Sequence, residues 1–229
     1  MKDTKDVRRG RSQAPMMEGR MARWYARQRG SAPQMAEVRD SAARLTADLP
    51  SGARILEVAP GPGYHAIEMA RPGRFQVTGL DVSRTFVEIA GENARQAGVD
   101  VDFRLGEASR LPFDAGSFDL IVCQAAFKNF GRPLGALDEM HRVLRGGGTA
   151  VIHDMNREIT RADIDHAVKG MGLSRLNSFL TKVPLTALRR RAYSPGEFRR
   201  LAAESAFRAC EITTEGIGLE VRLTKQAAA

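Results

Sequence analysis

Between Gly52 and Asp154, short β-branched and apolar runs alternate with longer stretches whose apolar positions recur at helical spacing. This is the signature of parallel strands joined by crossover helices. The strand-like runs are Arg54–Ala59, Phe75–Leu80, Val101–Leu105, Phe118–Cys123 and Thr149–His153. Helical patterns fit between them at Tyr64–Ala70, Ser83–Ala97 and Leu134–Leu144, with Ser83 as an N-cap and Gly98 as a helix stop. The pattern predicts a parallel core of five strands.

Upstream, Met16–Leu49 reads as helix interrupted around Gly30–Pro33, which would pack on or over the sheet as a lid. Downstream, Arg161–Leu188 is helical and rich in Leu and Met, and Pro195–Ser205 is another short helix. Cys210–Thr213 and Gly218–Leu223 read as strands that a Thr214–Gly216 turn would pair as a hairpin. The expected organisation is a disordered basic tail at 1–15 and one domain over 16–229. Within that domain, 16–50 is a helical lid, 52–154 a ligand-binding core, 155–205 a helical substrate region and 207–224 the closing strands.

A length of 229 residues suits one such core. No apolar run approaches the roughly 20 residues of a membrane-spanning helix. The start of the chain carries Arg8, Arg9 and Arg11 but no secretory apolar stretch, so a cytoplasmic protein with no membrane partner is expected. Cys123 and Cys210 fall inside apolar strand-like runs, where a reduced thiol behaves as a small hydrophobe, and neither a disulfide nor a metal site is expected. The net charge of +8 could attract an anionic substrate or nucleic acid, but much of it comes from the tail and from Arg189–Arg191. Nucleic acid is disfavoured as a partner on this ground.

The first strand ends in Glu57-Val58-Ala59-Pro60-Gly61-Pro62-Gly63, a tight turn at the carboxyl edge of the sheet, where open α/β sheets bind their ligands. Gly61, Gly63 and Ala66 also satisfy the loose dinucleotide pattern, so a nicotinamide oxidoreductase must be weighed. Against it, Pro60 and Pro62 each remove a backbone donor that a diphosphate needs, and Glu57 would repel a diphosphate while suiting an ammonium group. Asp81 ends the second strand, where a carboxylate can take both ribose hydroxyls. Glu107 follows the third, where it could accept from an adenine amino group. Each acid alone could be a solvated loop residue; three at successive strand ends favour a site.

With these motifs, and with Leu111–Asp119 and Leu144-Arg145-Gly146-Gly147-Gly148, the stretch 52–154 resembles the class I S-adenosylmethionine-dependent methyltransferases, especially those acting on small molecules. The resemblance implies a Rossmann-like doubly wound α/β sheet of seven strands with the last antiparallel. It implies S-adenosylmethionine as cofactor and S-adenosylhomocysteine as product. By position, Glu57, Ala59, Gly61 and Gly63 would surround the methionine moiety, Asp81 and Val82 the ribose, and Glu107 and Ala108 the adenine. Gln124 and Ala125 would lie beside the cofactor, and Tyr25 would cover it. The family's usual first glycine is Ala59 here, and its usual adenine-side Asp is Glu107.

Methyl transfer from a sulfonium is an in-line displacement, so the protein contributes mainly positioning and, for some acceptors, proton removal. Lys128 and Asn129 after the fourth strand and His153 after the fifth are the candidate catalytic residues, with His153 the best base. The bland alternative is a structural hydrogen bond between His153 and Asp154, with Lys128 a surface charge. His65 could meet a ligand or pack beneath the lid, and His141 should face outward. Met171, Leu173, Leu176, Phe179 and Leu180 could line an apolar acceptor pocket or simply pack. The expected partner is a small-molecule acceptor, with the protein a monomer or homodimer. A methyltransferase acting on RNA or another nucleic acid, and a noncatalytic S-adenosylmethionine-binding protein, are the alternatives.

Overall fold

The computed structural model describes residues 17–170 and 185–227. Its strands are β1 (Arg54–Val58), β2 (Gln76–Asp81), β3 (Asp102–Leu105), β4 (Phe118–Gln124), β5 (Leu144–Met155), β6 (Glu211–Glu215) and β7 (Gly218–Thr224). They form one sheet in the order β3-β2-β1-β4-β5-β7-β6. β1 to β5 pair in parallel, and β7 runs antiparallel to both its neighbours. The doubly wound sheet with an antiparallel last strand agrees with the sequence reading.

The helices are α1 (Gly19–Arg29), α2 (Ala32–Thr46), α3 (Tyr64–Ala70), α4 (Arg84–Ala97), α5 (Pro133–Val143), α6 (Arg161–Gly170) and α7 (Pro195–Glu204). Strand side chains alternate between faces, so β1 and β4 feed two cores. Ile55, Leu120 and Val122 pack with Ala42, Ala66 and Met69 beneath α2 and α3. Leu56, Ile121 and Cys123 pack with Leu137, Met140, Phe198 and Leu201 beneath α5 and α7. Central parallel strands covered on both sides read as unbroken apolar runs, which is why Leu120–Cys123 stood out in the sequence.

Local signals set the ends of the elements. The Ser83 side chain accepts from Phe86 N at 3.1 Å to start α4, and Gly98 closes that helix in the left-handed conformation at φ 68°. Ser194 and Glu197 form a reciprocal capping box on α7. β5 is longer than the predicted Thr149–His153. Its glycines do not end the strand but form an irregularity, with Phe118 facing Leu144 and Leu120 facing Thr149. His141 does not face outward as expected: it is half-buried, edge-on to Phe207 with ring centroids 5.0 Å apart. The basic tail at 1–15 and the candidate pocket residues Met171, Leu173, Leu176, Phe179 and Leu180 lie outside the described residues.

Candidate functional site

A cleft of about 1290 Å³ opens at the carboxyl ends of β1, β2 and β4, roofed by α1 and α2. Its wall includes Tyr25, Glu57, Ala59, Gly61, Asp81, Val82, Glu107, Ala108, Gln124 and Ala125, so ten of the eleven residues expected around a cofactor share one cavity. The eleventh, Gly63, is off the wall. It starts α3 at φ 80°, and a Cβ there would lie 2.8 Å from both Ala90 Cβ and Phe103 Cζ, so close packing alone requires a glycine.

The roof is tied to α4. Glu18 accepts from the backbone N–H groups of Arg84 and Thr85 at 3.0 and 3.1 Å and from the Thr85 hydroxyl, and these bonds hold its carboxyl below the usual range. Ser83 donates to the Met17 carbonyl at 2.8 Å, and Tyr64 donates to the Ala26 carbonyl at 3.0 Å. Tyr25 is thereby held edge-on to Phe86, with centroids 5.9 Å apart.

Glu57 is buried at 1% exposure, and its Oε2 has no hydrogen-bond partner. Burial, reinforced by the charge of Asp81, pushes its pKa up to about 8. Asp81 accepts from Gly61 N at 3.0 Å and Ser83 N at 2.9 Å; burial nonetheless raises its pKa. A buried acceptor without a donor beside a second carboxylate is the chemistry of a site for a cation. Glu107 at the next strand end is exposed and accepts from Ser109 Oγ at 2.6 Å.

The glycine turn offers a diphosphate no backbone donor. Ala59 N donates to Leu80 O at 2.8 Å, Gly61 N to Asp81, and Gly63 N to Pro60 O at 3.0 Å, while Pro60 and Pro62 have no N–H. At Gly61, by contrast, a Cβ would meet nothing within 4 Å, and the residue lies on the cleft wall. The turn and the acids beside it fit a cationic ligand better than a diphosphate.

On the comparisons with known proteins, the family described as "Methyltransferase domain" matches residues 56–152. Demethylmenaquinone methyltransferase of Deinococcus radiodurans is 36% identical over 100 residues, covering 43% of this chain and 42% of that protein. The sequence likeness to methyltransferases lies in this central stretch. Ubiquinone biosynthesis O-methyltransferase of Xanthomonas axonopodis is 33% identical to the chain over 109 residues, 47% of this chain and 45% of that one. The chain thus spans less than half the length of these curated relatives. The methyltransferase fold extends further than the sequence likeness: a solved S-adenosylmethionine-dependent methyltransferase from Aquifex aeolicus shares it at a TM-score of 0.64 and 16% identity, covering 88% of this chain and 97% of that one.

Of the three candidate catalytic residues, His153 and Asn129 line the cleft, but Lys128 does not. Lys128 is buried, with Nζ 2.7 Å from Asp154 Oδ1 and bonded to the Ala125 carbonyl; its backbone N donates to Asp154 Oδ2 at 2.9 Å. It is not the surface charge the sequence suggested, and its side chain, turned to Asp154, is not part of the cleft wall. Nor do His153 and Asp154 pair with each other, because neighbours on a strand point to opposite sides. His153 Nε2 instead lies 2.5 Å from Glu220 Oε2, and Nδ1 lies 2.7 Å from Gln124 Nε2. An amide donating to Nδ1 assigns the ring proton to Nε2, facing Glu220.

Two participants escaped sequence reasoning. Glu220 on β7 reaches His153 only because those residues are register partners across the antiparallel pair, a contact no local motif signals. Ser41 on α2 meets His65 Nε2 at 3.2 Å, leaving Nδ1 unpartnered. Burial, aided by His153 and Arg44, lowers the His65 pKa to about 4, so this imidazole is neutral at physiological pH.

Proposed function

We propose that the chain transfers a methyl group from S-adenosylmethionine to a small-molecule acceptor. The observation that carries this reading is the convergence of Glu57, Asp81 and Glu107 on one cleft whose glycine turn has no free amide for a diphosphate. Glu57, Ala59 and Gly61 would hold the methionine moiety, with Glu57 ionising against its ammonium. Asp81 and Val82 would take the ribose, Glu107 and Ala108 the adenine, Gln124 and Ala125 would flank the cofactor, and Tyr25 would close over it.

When bound, S-adenosylmethionine supplies an electrophilic sulfonium methyl. The roof formed by α1 and α2 excludes water around it, and the rigid strand ends fix the line of approach. His153, backed by Glu220 at Nε2, takes the proton of an acceptor that must lose one at Nδ1, the acceptor displacing the Gln124 amide from that nitrogen, and the carboxylate stabilises the imidazolium. Asn129, on the same wall, orients the acceptor. Lys128 holds the loop after β4 in place through Asp154.

The two relatives are named for demethylmenaquinone and for ubiquinone biosynthesis, which supports a small acceptor over a nucleic acid. The test is incubation with methyl-radiolabelled S-adenosylmethionine, offering hydroxylated aromatic compounds and total RNA in parallel. Label in the small organic fraction is the expected result. Label in RNA, or none with either although the cofactor binds, would overturn the proposal in favour of a nucleic-acid enzyme or a noncatalytic binder.

A further inference from the structure

The outer face of α1 is built unlike any surface the methyl-transfer reading requires. Its sequence, Gly-Arg-Met-Ala-Arg-Trp-Tyr-Ala-Arg-Gln-Arg, carries four arginines and no acidic residue. At 100° per residue, Arg20, Arg23 and Arg27 fall on adjoining positions of one arc, and Trp24 and Met21 continue that arc with Gln28 between them. The inner arc carries Ala22 and Ala26, buried against Phe86 and Ile89 of α4.

Trp24 is 53% and Met21 59% exposed, and Arg20, Arg23 and Arg27 are exposed beside them. The acid nearest in sequence, Glu18, is committed to the start of α4 and does not neutralise the arginines. In the sequence, Arg8, Arg9 and Arg11 precede this helix and add to the same charge.

A stripe of guanidinium groups beside an exposed indole and a thioether suits one environment: the boundary of an anionic phospholipid bilayer. There the arginines meet phosphates while the indole and methionine enter the upper acyl region. We propose that α1 docks the protein on an anionic lipid surface through Trp24, Met21, Arg20, Arg23 and Arg27. No described helix is long and apolar enough to cross a membrane, and this contact needs none, because the helix lies in the interface plane. Nucleic acid would engage the arginines but gives Met21 no partner. Because Met17, Tyr25 and Arg29 at the inner side of the same segment line the cleft, docking would bring the roof of the cleft to the lipid surface. The inference stands on the α1 surface and is independent of the methyl-transfer reading.

Trp24 is the only tryptophan in the chain, so its emission reports the contact directly. The full-length protein is titrated with vesicles of phosphatidylglycerol and phosphatidylcholine, with vesicles of phosphatidylcholine alone, and with a short RNA duplex; vesicle binding is also read by co-sedimentation. The expected result is a blue shift and co-sedimentation with the anionic vesicles only, weakening as salt is raised. R20Q/R23Q/R27Q should partition roughly a hundredfold more weakly, and M21S/W24S should lose most co-sedimentation, both with unchanged circular dichroism. Absence of a blue shift on anionic vesicles, undiminished co-sedimentation of either variant, or a Trp24 response to RNA in place of vesicles would each overturn the proposal.

Discussion

The Lys128 ammonium and the Asp154 carboxylate form an ion pair at 2.7 Å, shut from solvent, that joins the loop after β4 to the end of β5. Removing one partner of such a pair strands the other charge in a poor dielectric, which costs about 3–5 kcal/mol. Lys128→Met should therefore lower the denaturation midpoint strongly, and the K128M/D154L double variant should recover part of that loss. A Lys128→Met protein of full stability and no methyl transfer would instead mark Lys128 as a catalytic residue.

Glu57 makes cofactor binding pH-dependent. A carboxyl whose pKa rises to about 8 in the fold keeps a proton that the unfolded chain has released above the ordinary value of 4.5. Between those values the folded state binds more protons, so this group's contribution to stability falls as pH rises. Ionisation against a ligand ammonium reverses the preference. Calorimetry at pH 7 in buffers of differing ionisation enthalpy should show close to one proton released per S-adenosylmethionine bound, and Glu57→Gln should abolish that release.

The turn glycines should separate binding from folding. Gly63→Ala forces a Cβ against Ala90 and Phe103 at positive φ and should cost about 2–4 kcal/mol of stability. Gly61→Ala has space and should cost about 1 kcal/mol, yet it adds a methyl group at the cleft wall and should weaken cofactor binding roughly tenfold or more. Thermal melts and calorimetry on both variants check the pair.

Ala59 is strained where it stands, at φ 58°. Ala59→Gly relieves that strain but frees the unfolded chain, for a net gain of up to about 1 kcal/mol, seen as a melting temperature roughly 2–4 °C higher. An unchanged or lower melting temperature would show that the left-handed turn is not a source of instability.

Glu220→Gln removes the charge facing His153 and should lower kcat about a hundredfold for an acceptor that must lose a proton, with cofactor affinity unchanged. Equal loss of both would mean that the pair shapes the cofactor cleft and does not serve the acceptor.

Much of this architecture was legible in the sequence because its signals are local. Ser83 and Gly98 bracket α4 as read, and Leu120–Cys123 is apolar without interruption because both of its faces are covered. The acids at the ends of β1 and β2 and just after β3 were visible because parallel strands end at one edge. What the sequence hid is tertiary. Glu220 meets His153 through strand register, Ser41 meets His65 across two helices, and Lys128 turned inward because Asp154 awaited it. Gly63 also has a packing reason to be glycine that depends on Phe103 of another strand, which no local motif signals.

The central claim is that the carboxylates at the strand ends hold S-adenosylmethionine, and calorimetric titration with S-adenosylmethionine, S-adenosylhomocysteine and NAD tests it most directly. Asp81→Asn is the matching variant: it keeps the side chain's shape and one of the two acceptors that Gly61 and Ser83 use, and its melting temperature checks that the turn survives loss of the other. The account predicts binding of the first two ligands, weakened by the substitution, and none of NAD. Binding of NAD with no response to S-adenosylmethionine would contradict it.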